Sequence, residues 1–493
     1  MMRNAALPLV AVISLILFAI PTLLGFRPEP VIHDEFAYLL QADTFARGRL
    51  SNPPSRCWEA LETFHVLQQP TYAAKFPPGQ GIALAMGQLI WHPILGAWLS
   101  LAAGCAAVSW LLAAFVPIRW AVLGGLLCAT SPTIYHWSQT YWGGGVALLG
   151  GAILAGAAAR LARRPTPARG ALAGAGIAIL ANSRPFEGAI LTVILAMIVS
   201  VELIRRGRFT AMLKRSLPAM LAVLMPTAIW MGYYNWRVTG DPLLLPYAAH
   251  ARQYMVAPLF YWQSPRPPPQ YRHEILRRFY AEDELAEYQR ILHSGWLIPG
   301  LGQKLRVLSD YLRPGVLILP LLVGVALARR NRAARWAVIG CAGLVLVHFC
   351  STPWLRIQYM APAVGLFYAL IVVGLRWSAV MLRWPGRRAG RAIVLAIVVV
   401  HAVLATRWAI WHTWQMRDPI GLARAQFLRE LEQIPGKVLV IVRRLPEQPA
   451  VAEIVYNSAD LDSARVIFAR DMGQELNRRT IECYPDRRVV WFP

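Results

Sequence analysis

Residues 160–169 read RLARRPTPAR, a stretch with four arginines and no carboxylate between two long apolar runs. Three more segments have this composition, and the four together contain eighteen Arg and Lys residues and no Asp or Glu: 160–169, 205–215, 329–335 and 376–391. Short basic loops between apolar runs lie on the cytoplasmic side of a membrane. The pattern predicts a protein that crosses a membrane many times, with these loops inside.

The overall charge agrees with this interpretation. The chain of 493 residues is 56% hydrophobic and has a net charge of +24. Because the basic residues lie at the ends of apolar runs and not on one soluble face, the charge indicates orientation in a membrane, and we expect no nucleic-acid partner. Of the 26 acidic residues only Glu202 lies beside a basic loop. The carboxylates therefore concentrate on the outer side, where we expect any chemistry.

Apolar runs of about 17–25 residues, the length that crosses a bilayer, recur along the chain. Requiring every basic loop to be inside predicts eleven transmembrane helices, an inner N-terminus and an outer C-terminus: 9–25, 94–116, 120–137, 144–159, 170–182, 186–204, 217–234, 315–328, 336–350, 357–375 and 392–411. The first is predicted to be an uncleaved anchor, because no small-residue cleavage site follows it. Segment 78–91 is short and no basic loop follows it, so we predict a half-inserted or interfacial helix there.

Two domains are predicted from this threading. Residues 1–411 form the membrane domain, with outer loops 27–77 and 235–314, and residues 412–493 form a small outer α/β domain. In the latter, a helical pattern (420–433) is followed by three predicted strands (437–443, 465–469 and 488–492). Cys57 and Cys483 both lie outside, where disulfides form. Two cysteines give no spacing pattern to test, so their pairing stays open.

The first outer loop contains the best candidate for catalysis. Asp34 and Glu35 come where a helical pattern begins, and Asp34 shares a helix face with Tyr38. A carboxylate at the membrane surface can take a proton from an incoming nucleophile. The alternative is that Asp34 is a helix N-cap, a role that is compatible with catalysis. His33 beside this pair makes the only metal-like grouping, and we expect no metal or other cofactor.

A lone lysine follows about forty residues later. Residues 74–84 read AKFPPGQGIAL, in which Lys75 precedes an aromatic residue, two prolines and an apolar helix. At the head-group level of a membrane a lysine can bind a phosphate as a point charge. The alternative is a lysine that only reaches from a helix start to the membrane surface.

These features together resemble the membrane glycosyltransferases of the GT-C superfamily, in particular protein O-mannosyltransferases and the aminoarabinose transferase that modifies lipid A. In that group a helix with the pattern D-E-x-x-Y-x-x-x-A follows the N-terminal anchor, and here it reads Asp34, Glu35, Tyr38 and Ala42. The family's Lys-Pro-Pro-Leu motif has a counterpart at Lys75, with Phe76 inserted. Segments 182–188 (NSRPFEG) and 356–362 (RIQYMAP) are similar to elements at the outer ends of later spans.

The resemblance implies an inverting transfer of a sugar from a polyprenyl-phosphate donor to a glycan, lipid or protein acceptor, on the outer face of what we expect to be a bacterial inner membrane. It implies a catalytic carboxylate (Asp34, with Glu35 as the next candidate) and cations for the donor phosphate (Lys75, Arg184 and Arg356). Side chains expected to line the substrate site are His33, Tyr38, Glu187 and Tyr359.

Other interpretations stay open. Arg184 and Glu187 are three residues apart and would pair on a helix, while Arg356 and Tyr359 would serve as membrane-surface anchors. The chain would also suit a transporter or flippase of a lipid-linked glycan, although it shows no internal repeat. A lipid-linked glycan polymerase or ligase would place its key residues in loop 235–314, where His250, Arg252 and Arg272 lie. Residues 140–145 (TYWGGG) are predicted to be a packing turn, and residues 460–462 (DLD) a simple turn.

Overall fold

The computed structural model of the protein describes residues 2–293, 299–313, 315–381, 389–415, 418–443, 450 and 453–492. The described part is mainly helical, with a short hairpin in the first outer loop and a small sheet near the C-terminus. The helices are α1 Met2–Leu23, α2 His33–Ala46, α3 Pro78–Ile90, α4 Pro93–Leu112, α5 Ile118–Ala129, α6 Pro132–Ser138, α7 Gly145–Leu161, α8 Pro167–Ala181, α9 Pro185–Arg205, α10 Phe209–Ala211, α11 Leu217–Thr239, α12 Pro246–Tyr254, α13 Glu274–Arg277, α14 Glu284–His293, α15 Pro299–Ser309, α16 Ile318–Ala326, α17 Arg332–Ser351, α18 Val364–Met381, α19 Ala389–Gln415, α20 Pro419–Gln433 and α21 Gln474–Cys483. The strands are β1 Val66–Leu67, β2 Ala73–Ala74, β3 Lys437–Val442, β4 Val466–Arg470 and β5 Arg487–Phe492.

Seven helical segments in the described residues are long and apolar enough to cross a membrane: Ala6–Leu23, Pro93–Leu112, Pro185–Arg205, Phe209–Thr239, Arg332–Ser351, Ile357–Met381 and Ala389–Gln415. Four shorter apolar helices accompany them: Ile118–Ala129, Gly145–Leu161, Pro167–Ala181 and Ile318–Arg329. Each of the eleven apolar segments predicted from the sequence overlaps one of these helices. The protein is therefore an integral membrane protein, and the crossing of the four shorter helices stays a prediction.

Two helices depart from the predicted boundaries at prolines. The predicted span 120–137 is broken into α5 and α6, because Pro132 forces Ser131 into an extended conformation (φ −66°, ψ 136°). Helix α3 has 13 residues, which gives it a length of roughly 20 Å against a hydrocarbon core of roughly 30 Å. It exposes apolar side chains such as Leu89, which is 69% exposed. Its length and exposed face suit the half-inserted helix that the sequence predicts.

Three of the basic loops meet at one end of the helix bundle. Arg206 and Arg332 both form ion pairs with Glu202, at 3.6 and 2.7 Å, and Arg208 donates a hydrogen bond to the backbone carbonyl of Arg163. Helices α7 and α9 each run toward this end. Their opposite ends therefore define a second end of the bundle, which holds the outer loops. Residues 382–388 of the fourth basic loop lie outside the described residues.

The C-terminal region forms a parallel three-stranded sheet with strand order β4–β3–β5. Strand β3 is the central strand and all but its first residue are buried, as its apolar sequence KVLVIV predicts. The three predicted strands are confirmed to within a few residues. Helix α21, which connects β4 to β5, is the element that the sequence analysis missed, because its sequence is polar over most of its length.

The sheet region packs on the first outer loop. A disulfide joins Cys57 to Cys483 across 426 residues, which answers the question that the sequence left open. The Tyr72 hydroxyl donates to the carbonyl of Asn457 at 2.9 Å, and Arg470 Nε donates to the carbonyl of Glu62 at 2.7 Å. The loop that carries the candidate catalytic residues is thus held between the helix bundle and the sheet.

The two other sequence predictions for local structure are confirmed. A β-carbon on Gly144 would lie 2.8 Å from the β-carbon of Ala361, so the glycines of 140–145 are needed for close packing. Leu461 and Asp462 lie in a turn, and Asp460 accepts a hydrogen bond from the backbone N–H of Ser463.

Candidate active site

Helix α2 positions Asp34 at its first turn, but not as its cap. The N-cap residue is Ile32 and the helix begins at His33, so Asp34 is the second helical residue and the N-cap interpretation is wrong. Its carboxylate oxygen Oδ1 lies 3.1 Å from Nε2 of His65, and 29% of its side chain is exposed. Asp34 therefore has one oxygen engaged and a side chain that solvent can still reach.

Glu35, the next residue, has a different environment. Its buried carboxylate accepts hydrogen bonds from the backbone N–H groups of Val31, Ile32 and Tyr141, at 2.9, 3.0 and 3.1 Å. Burial raises the pKa of Glu35, and these three donors oppose the rise. The side chain ties the start of α2 to the turn before α7. Of the two adjacent carboxylates, Asp34 is the one directed at the open side of the site.

Lys75 follows the hairpin β1–β2 and is only 4% exposed. Its ammonium lies 4.7 Å from the ring centroid of Tyr247 and 5.5 Å from that of Phe76. Within the described part of the chain this ammonium has no hydrogen bond and no ion pair, and its contacts are these two rings. Burial lowers the pKa of Lys75, while the charges of Glu284 and Asp34 raise it. The result is a buried cation among aromatic rings whose favourable electrostatic neighbours are carboxylates.

The inserted Phe76 has a structural explanation. Its ring stacks on that of Tyr38 on α2, with centroids 4.3 Å apart. Gln41, one turn further along α2, donates a hydrogen bond of 2.9 Å to the Phe76 carbonyl. The insertion thus attaches the Lys75 segment to the helix that carries Asp34.

Of the two predicted arginines, Arg184 lies near Asp34 and Arg356 lies further out. Arg184, at the start of α9, lies over the ring of Tyr359 at 4.8 Å, and both residues interact electrostatically with Asp34. Arg356 is half exposed and lies 3.8 Å from Glu287. The structure thus brings Asp34, Tyr38, Lys75, Arg184 and Tyr359 together, with Arg356 at the edge.

Two predicted residues have their nearest partners outside this centre. Glu187 lies 3.5 Å from Nε2 of His348, and it interacts with Arg184 and Tyr359 electrostatically, without an ion pair within 4 Å. The His33 ring stacks on Phe64 at 4.2 Å, and its Nε2 lies 2.8 Å from the carbonyl of Ala450. Among the described residues no group of three or more His, Cys, Asp or Glu side chains is arranged to hold a metal.

Sequence analysis missed three residues of this cluster. Tyr247 and Glu284 come from the second outer loop, and His65 comes from the first. Burial raises the pKa of Glu284 to about 7, although the nearby charge of Lys75 lowers it. The charged stretch 273–293 was visible in the sequence, but nothing in it distinguishes the one carboxylate that turns inward. His65 stands alone in an apolar segment and had no pattern to mark it.

The fold has counterparts among solved structures. ArnT from Cupriavidus metallidurans bound to undecaprenyl phosphate matches with a TM-score of 0.53 and 13% identity, over 98% of this chain and 89% of that one. The Archaeoglobus fulgidus oligosaccharyltransferase, tethered with an acceptor peptide, matches with a TM-score of 0.50 and 12% identity, over 89% of this chain and 61% of that one. This chain therefore spans about three fifths of the archaeal enzyme. No family model and no curated protein matches the sequence.

These matches define the class of fold. The described chain has a GT-C-like fold over most of its length, shared with a protein that binds undecaprenyl phosphate and with an oligosaccharyltransferase. This confirms the resemblance stated from the sequence. At 12–13% identity the matches establish the fold, and the chemistry has to be argued from the residues of this chain.

Proposed function

We propose that this protein is a membrane glycosyltransferase that moves a sugar from a polyprenyl-phosphate donor to an acceptor on the outer face, with inversion. The observation that carries the proposal is that Asp34, with a reachable carboxylate, and Lys75, a buried ammonium without an ion pair among the described residues, lie in one cluster of a GT-C-like fold. This cluster lies at the end of the bundle away from the basic loops, which is the outer side if those loops are cytoplasmic.

In this mechanism the free oxygen of Asp34 takes the proton of the acceptor hydroxyl. The hydroxyl oxygen then attacks the anomeric carbon from the side opposite the phosphate, which inverts the configuration, and the bond from that carbon to the phosphate oxygen breaks. The leaving oxygen keeps the electron pair of that bond. Because Asp34 is partly exposed, its proton can pass to solvent before the next turnover.

Lys75 and Arg184 are the cations we assign to the donor phosphate. A buried ammonium without an anion is unfavourable, and a phosphate placed beside it removes that penalty while gaining strength from the low local dielectric. Such cations stabilise the charge that develops on the leaving group. Tyr38 and Tyr359 contribute ring surfaces beside them, with His33, Glu187 and Arg356 further out, and Glu35 holds α2 in place. No metal or other cofactor enters this scheme.

The orientation follows from the same proposal. The eleven helices cross the membrane, the N-terminus is cytoplasmic, and residues 412–493 form an outer domain beside the 1–411 membrane domain. The disulfide between Cys57 and Cys483 suits an oxidising compartment such as the periplasm of a bacterial inner membrane. The acceptor is a glycan, a lipid or a protein that reaches this face.

A second candidate is a lipid-linked glycan polymerase or ligase. It is favoured by one observation, that the second outer loop supplies Tyr247 and Glu284 to the site. Such an enzyme also uses a lipid-phosphate donor, and it differs in taking a growing glycan as acceptor or donor.

The test is a transfer assay in liposomes. The full chain is supplied with a panel of polyprenyl-phosphate monosaccharides, and the release of polyprenyl phosphate and the anomeric configuration of the product are measured. We expect one donor to be consumed and the product to be inverted. Retention of configuration, or transport of intact donors across the bilayer without consumption, contradicts the proposal; reaction only with lipid-linked oligosaccharides identifies the second candidate.

A further inference from the structure

His65 contacts both charged segments of the candidate site. Its ring nitrogen Nε2 lies 3.1 Å from Asp34 Oδ1, and its backbone carbonyl accepts a hydrogen bond of 3.0 Å from the backbone N–H of Lys75. The residue has a φ of +63°, in the left-handed region that residues with a β-carbon disfavour. Such a backbone conformation persists where surrounding contacts fix it. Here those contacts join the His65 side chain to Asp34 on α2, and the His65 backbone to the backbone of Lys75.

The protonation of this imidazole follows from its surroundings. Burial lowers the pKa of His65 well below its ordinary value, and the charge of Lys75 lowers it further. A neutral imidazole has one N–H, and an ionised carboxylate only accepts hydrogen bonds, so the proton lies on Nε2 and is donated to Asp34. Nδ1 is then an acceptor.

Two residues of the second outer loop support this tautomer. The Tyr280 hydroxyl lies 3.5 Å from His65 Nδ1 and 3.4 Å from Nε2 of the fully buried His250. If His250 donates its Nε2–H to the Tyr280 oxygen, the Tyr280 O–H is donated to His65. Each member of this series then donates to the next, and the series ends at Asp34. The hydrogen bond made by one ring nitrogen determines which of the two nitrogens carries the proton.

We propose that His65 is the positioning residue of Asp34: it holds one carboxylate oxygen, leaves the other for the acceptor hydroxyl, and keeps Asp34 out of an ion pair with Lys75. This inference rests on the function proposed above. Asp34 and Lys75 carry opposite charges that act on each other in a largely buried site. An ion pair between them would make the carboxylate a weaker base and would occupy the ammonium needed for the phosphate. A neutral donor orients Asp34 without cancelling its charge.

The test compares His65→Leu with His65→Gln. Both variants have the same backbone strain, but only glutamine offers an amide N–H near the position of Nε2. We expect His65→Leu to lower kcat by about 10–100-fold, the usual effect of losing an orienting partner, and to weaken binding of undecaprenyl phosphate, since Asp34 then pairs with Lys75. His65→Gln is expected to recover most of both. Equal loss in the two variants, or no loss in His65→Leu, overturns the proposal.

The expected ion pair between Asp34 and Lys75 in His65→Leu is tested by a separate control. In an Asp34→Asn background no ion pair with Lys75 is possible, so adding His65→Leu is expected to leave the binding of undecaprenyl phosphate unchanged. A weakening of the same size with and without Asp34 contradicts the proposal. If His65→Leu does not fold, Tyr280→Phe removes the donor to Nδ1, together with the hydroxyl oxygen that accepts hydrogen bonds from the His65 backbone N–H and from His250. Unchanged kcat in that variant overturns the tautomer on which the proposal depends.

A cryo-EM structure of His65→Leu separates the two proposals. We expect an oxygen of Asp34 within 4 Å of Lys75 Nζ, the distance that defines an ion pair. If Asp34 keeps its position, the role of His65 is refuted even if the protein is an active transferase. If Asp34 moves to Lys75 but the unaltered protein binds no lipid phosphate, the role of His65 stands and the proposed function fails.

Discussion

Lys75 and Lys304 are equally buried, at 4% exposure each, but their surroundings differ. The ammonium of Lys304, on α15, donates to the carbonyls of Phe349 and Thr352 at 3.2 and 2.7 Å and to the Tyr261 hydroxyl at 3.4 Å. The ammonium of Lys75 lies among aromatic rings, without such acceptors among the described residues. Lys304 thus has the surroundings of a lysine that holds segments together, and Lys75, equally buried, does not.

The largest loss of transfer is expected for a substitution of Asp34, the carboxylate that interacts electrostatically with Lys75. Asp34→Asn should lower transfer by about 10²–10⁴-fold, since asparagine still accepts the hydrogen bond from His65 but cannot take a proton. The measurement is the rate of polyprenyl phosphate release under saturating donor. Asp43→Asn, the same change nine residues further along α2, is the control and should keep its activity. Full activity in Asp34→Asn would contradict the role of Asp34 as the group that takes the proton.

Exchanging each lysine for methionine tests the comparison directly. Lys75→Met should lower transfer by about 10²-fold and weaken binding of lipid phosphate, without loss of stability, because it removes an unpaired buried charge. Lys304→Met should leave two carbonyls and a hydroxyl without their donor and lower the free energy of unfolding by about 1–3 kcal/mol. Thermal denaturation and binding of undecaprenyl phosphate, measured on both variants, give four values. If the two variants behave alike, burial and not pairing decides the role of these lysines.

The disulfide between Cys57 and Cys483 is expected to stabilise the region around Lys75 and not the region around Lys304. Changing Cys57 and Cys483 together to serine should lower stability by about 2–4 kcal/mol. Hydrogen exchange followed by mass spectrometry should show faster exchange in α2 and in the hairpin before Lys75, and unchanged exchange in α15. Faster exchange in both regions would mean that the outer loops unfold as one unit.

The smallest effect concerns pH. Burial holds the pKa of Glu284 at about 7, with Lys75 and Arg356 lowering it and Glu287 and Asp34 raising it. As pH rises through this value, Glu284 becomes a carboxylate that competes with the donor phosphate for Lys75. Donor affinity should therefore fall by a few-fold between about pH 6 and about pH 8, and Glu284→Gln should abolish the fall. Glu282→Gln, an exposed neighbour on the same segment, should retain it.

The sequence predicted the helical framework well, because hydropathy over twenty residues and the asymmetry of basic loops depend on the membrane and not on distant contacts. It also singled out Asp34, Tyr38, Lys75 and Arg184, which lie in motifs next to helix starts and which the structure brings together, while their roles stay predictions. It did not predict His65 or Glu284. Their positions depend on a hairpin and on a second loop that contacts α2 only after the chain has folded, and long-range packing of this kind leaves no periodic pattern in the sequence.

The same dependence on long range explains the incorrect N-cap interpretation at Asp34 and the partner found for Glu187. Asp before a helical pattern is typically a cap, and residues three apart on a helix typically pair. Here Ile32 is the cap, and His65 and His348 are the nearest partners. In both cases a histidine from elsewhere in the chain contacts the carboxylate, and Glu187 interacts with Arg184 only at longer range.

The bond between Cys57 and Cys483 also sets an order of events during synthesis. Cys57 is synthesised early, and its partner follows 426 residues later, after every intervening apolar helix has been made. Until then the loop with Asp34 and Lys75 lacks the sheet that packs on it. The bond can therefore close only once the helices between the two cysteines exist, and a chain released before Cys483 would keep Cys57 as a free thiol.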